Sequence, residues 1–583
     1  MKVIKKKQKV GIILILFVIL FSFIPFTGTT LSYDPEAPII RLGPYLQNVS
    51  GNTITVCWTT NENNSGDNTV EFGENTGVYT HNETATTVDT NTSFWGAIGG
   101  WTKSYDYFGE FKHEAQLTSI WDTFYYRVNS SGVYSDEYYY TLPGDVEESG
   151  NNVNFIILGD TQPDTQTRNE YVKLCFDDIA AREHDVDLLV QMGDIVGYPY
   201  YEEIWGNMSH QMAHLSQQLN SMLVATVGCH EYTEKQYTQL NGYRDYFSPP
   251  PNNYEGLRDW GNNPNNKQWY SFDYKQIHFV SVNIIGWRDE NCSSGDFPGC
   301  QCLPNYTVGS DLYNWLESDL ENASNNPDTC FIIVYSHTSP YRVQKESVCC
   351  TGPVYEWTNS FGHLFDTYGV DIHFQGHDHF FLRTKRIYDN YTVESEPEDN
   401  GTTYYTATAL GCNWQPKGGV PDGAPSDLED FYATGTGNRA DPADWPSNWG
   451  YIRCNASDGN LTVKAIRYNT GAILDTFTLN KTFSPQASTP QFISIDGGSN
   501  GTTIYDSTPT FIWSNVTNAE YYQLQIATDS GFSNIVSNIN NINEIVYPSE
   551  YSEGTNVNFI LPNSYALPSY NTYYCRVKAY KED

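Results

Sequence analysis

The stretch "VNFIILGD", Val153–Asp160, decides the fold. Its apolar residues run consecutively from Phe155 to Leu158 instead of alternating, which marks a strand buried on both faces. The helix-patterned "RNEYVKLCFDDIAARE" follows at 168–183, and "DLLVQMGD" at 187–194 then repeats the first run, Gly-Asp included. Further along stand "MLVATVGCHE" (222–231), "IHFVSVN" (277–283), "CFIIVYSH" (330–337), "VDIHFQGHDH" (370–379) and "YYTATALG" (404–411). Short apolar runs separated by helical crossovers predict an α/β domain over 150–482, with a sheet buried on both faces by helices. Folds of this kind bind ligands just beyond the C-terminal ends of their strands.

Those ends are where the polar residues fall. Asp160, Asp194, the pair Cys229-His230, His337 and the pair His377/His379 each follow an apolar run. A single Asp at a strand end ordinarily caps the next helix, and a single His is ordinarily a hydrogen-bonded structural residue. Five such endings on one sheet edge converge in space and gather carboxylates and imidazoles around one cavity. That is a donor set for two cations sharing a carboxylate. Cations about 3.5–4 Å apart neutralise a phosphate's oxygens and bring the pKa of a bound water from ~15.7 to about 7. A nucleophile then exists at neutral pH without a Ser or Cys.

The 583-residue chain carries a formal charge of -37. This excess of acid argues against nucleic acid and anionic membranes as partners, because their phosphates need Lys and Arg. It also requires any phosphate-handling site to bring its own positive charge, most simply as metal ions. The N-terminus reads "MKVIKKKQK" followed by an apolar segment, Val10–Phe26, which is the pattern of an export signal. The segment is short for a spanning helix, which needs about 20 residues. Residues 1–32 are therefore read as a signal peptide, with a retained N-terminal anchor as the alternative. No second such segment follows, so no membrane span is expected after signal cleavage, and the protein is expected to be secreted or on the cell surface. Sixteen Asn-x-Ser/Thr sequons, Asn82, Asn91, Asn305 and Asn455 among them, fit a secreted glycoprotein. Export permits disulfides among the twelve cysteines. Cys292, Cys300, Cys302, Cys349 and Cys350, with Cys330 between them, read as loop staples, because no Cys-x-x-Cys pair of a zinc cluster recurs.

Both flanks alternate. In 38–145, "NTITVCWTT" (52–60) puts Ile54, Val56 and Trp58 on one face, and "TFYYRVNSSGVYSDEYYYTLP" (123–143) gives two strands around a Ser-Gly turn with Phe124, Tyr126 and Val128 aligned. About seven such strands make a sandwich. In 486–583, "TPTFIWSNV" (508–516), "EYYQLQIATD" (520–529) and "YNTYYCRVKAY" (570–580) read as sandwich strands with Tyr522, Leu524 and Ile526 on one face. This last module reads as truncated, since a closing strand is missing or very short.

Taken in order, "GDTQ" (159–162), "GDIVGY" (193–198), "GCHE" (228–231), "SH" (336–337) and "GHDH" (376–379) resemble the motif blocks of the calcineurin-like metallophosphoesterases. The first region resembles the N-terminal fibronectin-like domain of the purple acid phosphatases through "RLGPYLQNVSGNTITVCWTT" (41–60) and "FKHEAQLTSIWDTFYYRV" (111–128), and the last resembles fibronectin type III modules. The resemblance implies an α/β fold in which a metallophosphoesterase β-sandwich is flanked by helices, between N- and C-terminal all-β fibronectin type III-like sandwiches. It implies two divalent or trivalent metal ions, Zn, Fe or Mn. Asp160 and His379 would hold the first, Asp194 would bridge, and His337 and His377 would hold the second. His230 would orient the phosphate and protonate or stabilise the leaving oxygen. Gln162 stands where many relatives place a metal-binding His, and its amide oxygen could coordinate weakly or through water.

Two departures from the family matter. Purple acid phosphatases place a Tyr three residues after the bridging Asp; here that position is Gly197, and Tyr198 comes one residue late, which argues against a tyrosinate-iron centre. The family expects Gly-Asn-His where this chain has Gly228-Cys229-His230. Cys229 reads as a metal ligand completing a shell with Asp194, His337 and His377, as half of a disulfide with a cysteine such as Cys175, as a nucleophile beside His230, or as an inert thiol. The implied function is a secreted phosphoesterase that hydrolyses phosphomonoesters of small molecules by attack of a metal-bound hydroxide. The alternatives are a phosphodiesterase or nucleotide pyrophosphatase of the same fold, and a degenerate, non-catalytic surface glycoprotein that binds partners through its fibronectin-like modules; surface or extracellular-matrix contacts are expected through the C-terminal module. Trp287, Tyr341 and Trp414 are candidate pocket-wall residues.

Overall fold

Each apolar run of the middle region is a strand, and the strands divide between two sheets. Asn152–Leu158, Leu188–Gln191 and Met222–Ala225 lie parallel in the first sheet. Ile277–Ser281, Phe331–Ser336, Ile372–Gln375 and Thr403–Thr406 lie parallel in the second. The structure, a computed structural model, describes residues 40–50, 53–61, 67–89, 111–118, 123–144, 146, 150–163, 166–197, 202–231, 241–250, 269–283, 308–338, 358–388, 391–392, 401–407, 410, 429–433, 449–483, 492–496, 503, 505, 507–514, 521–528, 535–542, 556–568 and 571–580. The proposed leader at 1–32 lies outside these residues. Among them, no helix is long and apolar enough to cross a membrane.

Consecutive apolar positions bury both faces of each sheet, although the covering differs from the expectation of helices on both sides. Val153, Phe155 and Ile157 of the first sheet share a core with Ile277, Phe279, Ile333 and Phe374 of the second. Phe155 meets Phe279 edge-on at 5.3 Å between ring centroids. The alternate residues Ile156, Leu158, Leu189 and Leu223 face helices instead, packing on Val172, Phe176 and Ile179 of helix Gln166–Arg182 and on Met208, Met212 and Leu215 of helix Glu202–Leu219. On the far side, Val280, Ile332 and Val334 pack on Leu312, Leu316 and Leu320 of helix Asp311–Ser324. The layers therefore run helix, sheet, sheet, helix. A strand buried between a sheet and a helix has the same all-apolar sequence as one buried between two helices. Each fully buried Leu, Ile or Phe contributes about 1.5–3 kcal/mol.

The first sheet does not stop at the middle region. Among the described residues it has ten strands, and Ile40–Ser50 joins it by pairing parallel with Met222–Ala225, Leu46 opposite Met222. Thr53–Thr60, Phe111–Thr118 and Thr86–Asp89 extend the same sheet outward. A five-stranded sheet packs against this extension and buries Phe124, Tyr126 and Val128 on Ile54, Val56 and Trp58, the two stripes read from the sequence. Trp58 Nε1 donates to Ser130 Oγ across the gap at 2.9 Å. At the C-terminus, two three-stranded sheets enclose Phe511, Trp513, Tyr522, Leu524 and Ile526.

Candidate metal centre

The strand ends of both sheets deliver their polar residues to one place. Asp160 and Asp194 follow Asn152–Leu158 and Leu188–Gln191, Cys229 and His230 form a turn after Met222–Ala225, and His337, His377 and His379 follow two strands of the second sheet. One ligand atom from each of Asp194, Cys229, His337 and His377 lies within 4.8 Å of every other. The Cys229 sulfur is 3.4 Å from His377 Nδ1 and 3.8 Å from Asp194 Oδ2. His337 Nδ1 donates to the Met192 carbonyl at 2.8 Å, because a carbonyl can only accept. That leaves His337 Nε2 facing Asp194 Oδ2 at 3.1 Å. The nitrogen is buried, and that carboxylate is its neighbour. A buried imidazole nitrogen turned onto a carboxylate, with a thiol and a second imidazole beside them, is a donor set a cation fits by taking the place of the proton between them.

A second group adjoins the first. His379 Nε2 is 3.1 Å from Asp160 Oδ2 and 2.8 Å from the Gln162 amide nitrogen, Nε2, which can only donate. The Gln162 amide is in turn 3.4 Å from Asp194 Oδ2. One carboxylate oxygen, Asp194 Oδ2, thus faces the first group and accepts the Gln162 N–H of the second. Asp160 Oδ1 is spent elsewhere, accepting the His377 backbone N–H at 3.1 Å.

Backbone geometry aims these side chains. Asp194 and His377 both sit at positive φ, 51° and 67°, a region that costs a non-glycine residue free energy and concentrates at functional sites. Glu231 holds the Asp194 turn in place. Its buried carboxylate accepts backbone N–H groups from Gly228 at 2.6 Å, Asp194 at 2.8 Å and Ile195 at 2.8 Å. Gly228 lets the two turns approach, since a Cβ there would collide with Asp194 N and Oδ1. Asp194 Oδ1 then accepts the His230 backbone N–H at 2.7 Å.

His230 differs from its neighbours in exposure. Its side chain is 43% accessible, whereas that of Asp194 is 2%. His230 Nδ1 donates to the Gly197 carbonyl at 2.9 Å, which directs Nε2 toward the site, 4.0 Å from Asp194 Oδ2. Gly197, the position where a tyrosine would signal a tyrosinate centre, contributes its backbone. Tyr198 lies outside the described residues.

The charges are tuned in pairs. Burial works against the Asp194 carboxylate, yet the imidazoles of His337, His230 and His377 hold it well below the usual carboxylate range. Burial likewise opposes a charged His337, but Asp194 and Asp160 raise it to about 10. Burial, followed by the Asp194 charge, pushes Glu231 upward.

The sequence motifs reached every side chain in the two groups, but they gave Glu231 no role. Its signal was its place in "VGCHE": a carboxylate in a buried-looking turn needs backbone donors. The disulfide reading of Cys229 is overturned. Cys229 and Cys175 are both thiols, and Cys175 is packed in the core behind the first sheet. Cys330 is also a thiol, not a loop staple. Cys292, Cys300, Cys302, Cys349 and Cys350 and the wall candidates Trp287, Tyr341 and Trp414 lie outside the described residues. Of the sequons named above, Asn82 and Asn455 are exposed, and Asn91 and Asn305 are outside the description.

Residues 153–381 match the sequence model of the family described as Calcineurin-like phosphoesterase. Purple acid phosphatase 22 of Arabidopsis thaliana is 23% identical over 337 residues, 56% of this chain and 64% of that protein. An acid phosphatase of Aspergillus ficuum is 27% identical over 160 residues, 24% of this chain and 25% of its own length. This chain thus spans from a quarter to just under two thirds of these relatives. Among solved structures, purple acid phosphatase PPD1 from yellow lupin (Lupinus luteus) seeds superposes with a TM-score of 0.55 at 18% identity, over 76% of this chain and 74% of that one. The α/β sandwich with added all-β regions is therefore a fold shared with a purple acid phosphatase.

Proposed function

We propose that this chain, which carries a calcineurin-like phosphoesterase domain, is an exported hydrolase of small-molecule phosphomonoesters that works with two metal ions. The observation that carries the reading is Asp194 Oδ2, one buried carboxylate oxygen that faces His337 and Cys229 and is tied through the Gln162 N–H to His379 and Asp160. Asp160, Gln162 and His379 would hold one cation, and Cys229, His337 and His377 the other, with Asp194 between them. When bound, the cations supply Lewis acidity and the positive charge that a chain of net charge -37 otherwise lacks. Export rests on the Lys-rich N-terminus and its apolar segment, and surface contacts through the C-terminal module are part of the same proposal.

The chain's own residues do the rest. Met192 and Gly197 carbonyls fix the tautomers of His337 and His230. Asp194 is kept ionised, and Glu231 holds it at an unfavourable φ. His230, reachable from solvent and with Nε2 turned inward, meets a phosphate oxygen and gives a proton to the departing alkoxide. His230→Ala is expected to leave the metal content unchanged and lower kcat by about a hundredfold to ten-thousandfold. The loss should be smaller for a nitrophenyl phosphate than for an alkyl phosphate, since a good leaving group needs less protonation. Steady-state rates on the two substrates check this, with metal analysis of the same samples.

The direct test is metal content per chain, followed by hydrolysis of an aryl phosphate and an aryl phosphodiester with and without chelator. The expected result is two metals per chain and monoester hydrolysis that is lost on chelation and restored by adding metal back. Hydrolysis that survives complete metal removal would overturn the proposal. Two bound metals with neither ester hydrolysed would favour a degenerate, partner-binding glycoprotein, for which the departures at Cys229 and Gln162 speak.

A further inference from the structure

The two halves of the site are chemically unlike. The Asp160 half offers a carboxylate oxygen and an imidazole nitrogen, with Asp194 Oδ2 beside them and the Gln162 NH2 donating to that oxygen. The other half offers a thiol sulfur, two imidazole nitrogens and the same shared oxygen. Its donors are already gathered: Cys229 Sγ lies 3.4 Å from His377 Nδ1, and His337 Nε2 lies 3.1 Å from Asp194 Oδ2. Each is also held there by the backbone. Cys229 is locked in the turn that Glu231 ties to Asp194, and the ring orientation of His337 is set by the Met192 carbonyl.

Donor softness decides which cation such a set takes. Carboxylate and amide oxygens suit Mg, Mn and Ca, while thiolate with imidazole suits Zn and ions like it. Four donors of the types S, N, N and O are also the number and kind that zinc accepts. We infer that the half-site of Cys229, His337, His377 and Asp194 is a thiolate site selective for zinc-class cations over magnesium- or manganese-class cations, with Cys229 as the residue that sets the preference. The inference rests on the reading of these residues as a metal centre and goes beyond it in assigning the selectivity to Cys229. A divalent cation there would face two anionic donors, Cys229 and Asp194, and its charge would be matched within the half-site.

The test uses the full chain, stripped of metal and reloaded with cobalt(II), zinc or manganese(II) alone. With cobalt(II), the wild-type protein should develop a near-ultraviolet thiolate-to-cobalt absorption that Cys229→Ser and Cys229→Asn both lack. Zinc loading should slow alkylation of the Cys229 peptide by iodoacetamide, read by mass spectrometry, by about tenfold or more, whereas manganese(II) loading should leave it unchanged. Zinc affinity should fall by about tenfold or more in both variants, manganese affinity far less. The alkylation arm needs no variant and stands if both substitutions misfold. Cobalt binding without the absorption, together with alkylation indifferent to zinc, would overturn the inference and leave the two-metal phosphoesterase standing. Failure to bind any of the three metals would overturn both.

Discussion

Replacing Asp194 by Asn is expected to strip the metal and abolish hydrolysis in one step. The substitution changes almost no volume, so what it removes is charge at one oxygen. Asp194 Oδ2 lies 3.1 Å from His337 Nε2, 3.4 Å from the Gln162 amide and 3.8 Å from the Cys229 sulfur. An amide at that point offers a neutral oxygen or, flipped, a donor N–H, and neither can be shared between two cations as a carboxylate can. Loss of the charge would also leave the buried His337 beside Asp160 alone, weakening the pairing that raises it. The expected outcome is a fall in bound metal from two per chain to less than one, and a loss of about a thousandfold or more in kcat/KM. Elemental analysis and steady-state kinetics on the same preparation check it. A variant that keeps both metals and more than about a tenth of the activity would show that Asp194 does not bridge.

Much of this site was legible because the fold converts sequence order into spatial convergence. A strand that ends in Gly-Asp or Ser-His places its last side chain at the sheet edge, whatever its partner strands are. Asp160, Asp194, His337, His377 and His379 therefore announced themselves singly, and the adjoining edges of two sheets, not the one edge the sequence suggests, bring them together. The rest was hidden for physical reasons. Strand pairing between Leu46 and Met222 joins positions far apart in sequence, and nothing in "RLGPYLQNVS" marks which partner its backbone will find. The carbonyls of Met192 and Gly197 orient two imidazoles, yet a carbonyl belongs to every residue and leaves no trace in the choice of side chain. All-apolar strands do not say whether helices or a second sheet cover them, because burial against either demands the same residues. Glu231 was visible as a letter in "VGCHE", but its function is to answer three N–H groups of a turn whose shape the sequence does not spell out.

That turn is the basis of the second large effect, expected from Glu231→Gln. The Glu231 carboxylate presents only acceptors, and three backbone donors converge on it: Gly228 and Asp194 on Oε2, Ile195 on Oε1. A glutamine has one acceptor oxygen and one NH2 group. In one orientation its NH2 faces Ile195 N–H; in the other it faces both Gly228 N–H and Asp194 N–H. Either way a buried donor meets a donor, at a cost of about 1–3 kcal/mol for each unsatisfied group. The strain at Asp194, with φ of 51°, is then no longer held, and that residue can relax toward negative φ and carry Oδ2 out of the site. Stability should fall by about 3 kcal/mol, and metal affinity by about tenfold to a hundredfold, although Glu231 is expected to touch neither cation nor substrate. Denaturant unfolding of the metal-stripped protein isolates the first effect, and metal titration of the folded variant measures the second. Glu231→Asp should recover part of the stability, since it restores an acceptor-only group on a shorter stem. If Glu231→Gln unfolds and binds metal as the wild type does, the positive φ of Asp194 must be sustained by something other than this carboxylate, and the turn would be rigid without its clamp.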